Sequence, residues 1–200
     1  MNIACVLKAG GEFRIEHVAA LAQSIHQHNP AARIRCLTDA KLQLDGVEAV
    51  PLQHSWPKWW SKIELFRPGV CDGPTLYLDL DTVVVGKIEL SIERFTMLAD
   101  VYRHGDFGSG VMAWQQTPEH IYHKFLKAPA KYMAAYRTRN RWGDQAFIRD
   151  HLGETPATFG AHFRSYKVHC KQGVPEDTRV VYFHGKPRPW QVELKCPQYL

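Results

Sequence analysis

No stretch of about eighteen consecutive apolar residues occurs in the 200-residue sequence, so no segment of it reads as a membrane-spanning helix. Met1 to Lys8 holds a short apolar run, but nothing basic precedes it and Lys8 interrupts it, so no secretory signal is expected and a cytoplasmic location is. Cysteine is sparse and scattered. Cys5, Cys36, Cys71, Cys170 and Cys196 are odd in number and form no Cys-x-x-Cys pair, which excludes a disulfide framework and the usual zinc spacings and leaves ordinary reduced thiols. Internal repeats, low-complexity tracts and a recognisable linker are absent as well, so residues 1–200 are read as one domain.

What is present fits a soluble globular chain, with 45% apolar and 22% charged residues. The formal charge of +5 favours anionic partners, among them nucleotide phosphates, nucleic acid and acidic membrane faces, without choosing among them.

The patterning alternates strands with helices. Residues 3–7 form a strand-like apolar run followed by Lys8-Ala9-Gly10-Gly11, a turn whose backbone can approach a ligand. Apolar positions at Ile15, Val18, Ala19, Ala22 and Ile25 predict an amphipathic helix over 14–28, stopped by Asn29-Pro30. Strands are expected at 33–37, 47–51, 75–80, 110–114 and 179–183. Helices are expected at 59–67, at 117–137 with a break at Pro129, and from 141. This order predicts an α/β sandwich with a largely parallel sheet. It also places Asp79 and Asp81 at the carboxyl end of a strand, where open α/β sheets bind ligands.

In Asp79-Leu80-Asp81, strand geometry would send both carboxylates to one face while Leu80 packs on the other. Two carboxylates beside an apolar run form a site for a hard cation, which offsets their desolvation while keeping water and substrate phosphates as further ligands. The last strand ends at His184, followed by Gly185, Lys186 and Arg188, a flexible backbone with two cations suited to a diphosphate. Trp56, Trp59 and Trp60 form a dense aromatic group that either binds a ring or packs in the core. The stretch holding His162, Arg164, Tyr166, Lys167 and His169 reads as a solvated basic face.

These motifs, in this order, make the chain similar to the GT-A class of glycosyltransferases, and in particular to glycosyltransferase family 8, which includes glycogenin and bacterial galactosyltransferases. The family's Asp-x-Asp matches Asp79 and Asp81, and its Asn-Ser-Gly-Val matches Gly108-Ser109-Gly110-Val111. Its Asp-Gln helix start matches Asp144-Gln145, and its His…Lys-Pro-Trp terminus matches His184 to Trp190. A basic helical residue before the Asp-x-Asp strand matches Lys62.

The resemblance implies a GT-A fold and transfer of a hexose from a UDP-sugar, with retention, to a saccharide or glycoconjugate acceptor rather than to nucleic acid. It implies Mn2+ or Mg2+ held by Asp79, Asp81 and His184. It implies a donor site formed by Leu7, Lys8, Gly10, Lys62, Leu80, Gly185 and either Lys186, preferred because it follows the glycine directly, or Arg188, which aligns better with Pro189-Trp190, with Asp144, Gln145 and Lys62 at the transferred sugar. Three departures stand out: Gly108 replaces the family's asparagine, the terminal motif is two residues shorter, and the chain is short for the family.

Two other enzymes share part of the pattern. A haloacid-dehalogenase-type phosphatase would use Asp79 as nucleophile and Asp81 as acid, but it needs a second acidic pair, and the residue four beyond Asp144 is Ile148. A nucleotidyltransferase would carry a richer glycine and basic loop than residues 8–14 provide. A non-catalytic nucleotide-binding module would not be expected to keep Asp79, Asp81 and His184 together.

Overall fold

The computed structural model describes residues 1–196. In chain order, β1 (Asn2–Leu7), α1 (Ile15–His28), β2 (Arg33–Thr38) and β3 (Val47–Pro51) are followed by a 3-10 helix, Lys58–Phe66. Next come β4 (Thr75–Leu78), β5 (Thr82–Val84), β6 (Thr96–Ala99), β7 (Phe107–Trp114), α2 (Glu119–Leu126) and α3 (Pro129–Ala135). A two-strand hairpin, β8 (Arg137–Thr138) and β9 (Arg141–Trp142), leads into α4 (Gly143–His151). The chain ends with β10 (Ala157–Thr158), β11 (Phe163–Ser165), a π-helical turn Tyr166–Cys170, β12 (Val180–Tyr182) and a 3-10 turn Pro189–Gln191.

The main sheet has the order β10-β6-β7-β4-β1-β2-β3. Of the seven strands only β7, between β4 and β6, runs against the others, so the sheet is mixed but largely parallel, as the alternation of strands and helices predicts. Both faces are covered. One carries Val18, Leu21, Ala22 and Ile25 of α1 on Ile3, Leu76 and Leu78. The other carries Trp60, Phe66, Phe125 and Phe147, from the 3-10 helix, α2 and α4, on Tyr77, Met112 and Trp114. With helices on both faces, β4 is buried throughout, as its unbroken apolar sequence requires.

The expected helix at 59–67 is present as a 3-10 helix, and its tight winding buries Lys62 and Glu64 along with its apolar residues. Glu64 is satisfied there by the backbone N–H groups of Gln53 and His54, at 2.7 and 2.8 Å. The helix expected over 117–137 divides into α2 and α3, with Ala128 non-helical before Pro129, because proline disfavours helical backbone in the residue preceding it. All five cysteines are buried and unpaired. Among the described residues no helix is long and apolar enough to cross a membrane.

A second, three-stranded sheet of order β11-β12-β5 positions the site. β12 pairs antiparallel with β5, setting Tyr182 against Thr82, and the Phe183 N–H donates to the Asp81 carbonyl at 3.1 Å. Chain distant in sequence is thereby fixed beside the turn that follows β4.

Candidate active site

Asp79 and Asp81 lie beyond the end of β4, in a turn closed by the Thr82 N–H donating to the Asp79 carbonyl at 3.1 Å. The turn, rather than the one-sided pleat of a strand, directs the two carboxylates into one cavity. Asp79 is tied to β7 through its N–H, which donates to the Gly110 carbonyl at 2.8 Å. Leu80 packs into the core on the α1 side and also borders the cavity.

The cavity has a volume of about 860 Å³ and gathers residues from the whole length of the chain. Lys8, Gly10, Lys62, Asp79, Leu80, Asp81, Asp144, Gln145, His184, Gly185 and Arg188 all line it. Leu7 does not: strand parity turns it into the core and gives the cavity Val6 instead. Lys186 is not among the lining residues either, whereas Arg188 is. Trp56 and Trp60 are core residues, while Trp59 reaches the cavity.

Each carboxylate has a cation. Lys62 Nζ donates to Asp79 at 2.9 Å and lies 3.6 Å from Asp144, which accepts from the Ser109 hydroxyl at 2.6 Å. Burial works against the Lys62 ammonium, but the charges of Asp144 and Asp79 outweigh it and raise its pKa above the usual lysine value. Burial raises the Asp144 carboxyl, with Lys62 and Ser109 opposing. The Tyr77 hydroxyl donates to the other Asp79 oxygen, and the tyrosine is itself raised by burial and by that charge. Across the cavity, Arg188 bonds Asp81 and also pairs with Glu12 at 2.8 Å. Burial, followed by the charge of Asp79, raises Asp81 to about 7 even against Arg188 and Lys62.

His184 faces a different partner. Its Nε2 lies 2.7 Å from the buried Ser165 hydroxyl, and the Tyr102 ring meets it edge-on at 5.4 Å. Burial and the nearby Lys167 lower its pKa. Among the described residues no three His, Cys, Asp or Glu side chains are gathered closely enough to hold a metal ion. The carboxylate pair itself fits a hard divalent cation, because its oxygens already draw two cationic side chains into a buried place. The histidine borders the same cavity but is not drawn up to the pair. Lys8 is held by Asp39, which also accepts from the Ala9 N–H at 2.8 Å and so shapes the glycine loop.

Several of these partners are not named by any sequence motif. Tyr77 is two residues before Asp79, so strand alternation was a usable signal for it. Glu12, Asp39 and Ser165 reach the site through pairings remote in sequence, and no local pattern marks them.

No protein-family model and no curated protein matches the sequence. Solved structures do match. A crystal structure of the glycosyltransferase GlyE from Streptococcus pneumoniae TIGR4 superposes with a TM-score of 0.68 at 14% identity, covering 96% of this chain and 57% of that one. The galactosyltransferase LgtC, in complex with donor and acceptor sugar analogs, gives 0.68 at 14% identity, covering 95% and 89%. An active-site mutant of LgtC gives 0.69 at 13% identity with the same coverages. The chain thus spans little more than half of GlyE and most of LgtC. At these identities the likeness establishes the fold, which is that of GT-A glycosyltransferases.

Proposed function

We propose that this protein is a metal-dependent glycosyltransferase that moves a hexose from a UDP-sugar to a saccharide or glycoconjugate acceptor, with retention of anomeric configuration. One observation carries the reading. A single cavity in a GT-A fold is lined by the carboxylate pair after β4, the buried Lys62-Asp144 pair and the terminal His184-Gly185-Arg188 segment.

Asp79 and Asp81 would hold Mn2+ or Mg2+, and His184 would have to turn from Ser165 to join them as third ligand. When bound, the ion would neutralise the donor's diphosphate and the charge developing on the leaving UDP. The loop from Lys8 to Gly11 would take the nucleoside end. Gly185 leaves room for phosphate oxygens, and Arg188 supplies a forked cation for them in place of its present bonds to Asp81 and Glu12. Of the two terminal cations, Arg188 is favoured over Lys186 because it lines the cavity.

In the transfer, the bond from the anomeric carbon to the β-phosphate oxygen breaks with its electron pair passing to UDP. A bond to the acceptor oxygen forms on the same face as that hydroxyl passes its proton to the departing β-phosphate oxygen. Lys62, fixed between Asp79 and Asp144, would keep a positive charge beside the departing oxygen, and preorganised charge of this kind needs no rearrangement during the reaction. Asp144 and Gln145 would orient the sugar, with Ser109 holding the Asp144 carboxylate in place. The test is hydrolysis of UDP-glucose, UDP-galactose and UDP-N-acetylglucosamine with and without manganese. Turnover that depends on manganese and vanishes in Asp81→Asn supports the reading, and turnover unchanged in that variant refutes it.

A further inference from the structure

The donor reading uses the cavity from the glycine loop to Asp144 and leaves one wall without a role. That wall is formed by Ser55, Pro57, Lys58, Trp59 and Trp142. Trp142 is 50% exposed and Trp59 36%, whereas Trp56 and Trp60 are buried. The two exposed indoles are neighbours, with ring centroids 6.1 Å apart and planes inclined by 42°. Together they make an angled aromatic corner opening onto the cavity.

The backbone at this corner is specialised. Lys58, next to Trp59, is the one non-glycine among the described residues with a positive φ, 54°. Such conformations are strained and persist where the surrounding structure holds them. Gly143, next to Trp142, has φ +65°, and a Cβ there would stand 2.8 Å from the Trp59 Nε1. Trp59 therefore leans directly on the peptide joining Trp142 to Asp144. The corner and the polar centre of the cavity are built on the same few residues.

Two large indoles left half-exposed side by side forgo burial that a folded chain normally secures for them. Their surroundings select among ligands. A lipid chain would need a long apolar groove, but Ser55, Lys58, Asp144 and Gln145 interrupt the aromatic surface. A pyranose ring fits the mixture, since one of its faces presents C–H groups and its rim presents hydroxyls.

We propose that Trp59 and Trp142 form the acceptor subsite and that it receives a pyranoside, its C–H face stacked on the indoles and a hydroxyl turned toward Asp144 and Gln145. This assignment rests on the donor reading for which end of the cavity holds the nucleotide, but the saccharide subsite can be tested separately.

The intact protein, with and without UDP and manganese, is titrated with methyl β-galactoside, methyl β-glucoside, lactose and, as an acyclic control, ribitol. Binding is followed by saturation-transfer NMR and indole fluorescence, and UDP affinity is measured in parallel. At least one glycoside is expected to bind with saturation concentrated on the C–H protons of one ring face, while ribitol does not. Trp142→Ala and Trp59→Ala should weaken it about ten-fold or more, Trp142→Phe should recover most of the loss, and UDP affinity should change less than about two-fold. Glycoside binding that ignores both alanine variants overturns the proposal. So does failure of every glycoside on protein that binds UDP, with the donor reading left standing. Loss of UDP affinity in Trp142→Ala with glycoside binding intact makes the corner a base platform and also overturns it. Glycoside binding that depends on Trp142 in protein that ignores UDP keeps the saccharide subsite and removes the donor reading.

Discussion

Lys62, on the 3-10 helix, donates to Asp79, on the turn after β4, at 2.9 Å, and the same ammonium lies 3.6 Å from Asp144. One buried cation thus joins the expected metal-ligand turn to the expected sugar-positioning helix. Removing one partner of a buried ion pair leaves uncompensated charge, typically at a cost of about 3–5 kcal/mol. Lys62→Met is expected to lower unfolding stability by about 3 kcal/mol or more, read by urea denaturation. A loss below about 1 kcal/mol would mean that solvent screens Asp79 and Asp144 well enough without Lys62.

Arg188 and Lys186 are two residues apart, yet only Arg188 lines the cavity, where it bonds Asp81 and Glu12. Calorimetric titration with UDP should show Arg188→Ala weakening affinity by about ten-fold or more and Lys186→Ala by less than about two-fold. The reverse order would reassign the phosphate contact.

The raised Asp81 pKa sets a pH dependence. The folded protein holds this proton more tightly than the unfolded chain does, so the carboxyl's contribution to stability falls as pH rises from the ordinary aspartate range to about 7. A bound cation must displace the proton. Manganese affinity is therefore expected to rise by up to about ten-fold per pH unit below pH 7 and to level off above it. Titrations in buffers of different ionisation enthalpy should register the released proton near pH 6, and a flat affinity from pH 5.5 to 8 would contradict the assignment.

Gly143 needs both its left-handed backbone and its missing side chain. Gly143→Ala would strain φ +65° and press on the Trp59 indole. The expected cost is about 1–2 kcal/mol in thermal unfolding. A shift in indole emission should accompany it.

Much of this arrangement could be read from sequence where the signal is local. The stripe of α1 follows directly from apolar spacing, and Asp79-Leu80-Asp81 announces itself after an apolar strand. Winding was less visible, because the periodicity of residues 58–66 does not separate a 3-10 from an α-helix at that length. Long-range pairing was not visible at all. β5 and β12 are three residues each and nearly a hundred residues apart, too short for patterning to match them. Their pairing nevertheless brings Arg188 to Asp81 and His184 to the wall of the same cavity. Ser165, Glu12 and Trp142 belong to the site through such contacts, which explains why motif spacing passes over them.

The central claim is that the cavity beside Asp79 and Asp81 takes a nucleoside diphosphate together with a divalent cation. Thermal unfolding in saturating UDP with manganese tests it most directly. At about a hundred times the dissociation constant, a native-state ligand adds about 2.7 kcal/mol, or about 5–10 °C for a chain of this size. The account predicts a rise of that order in the wild-type protein, smaller with UDP or manganese alone and absent in Asp81→Asn. No rise at saturating UDP and manganese would contradict it.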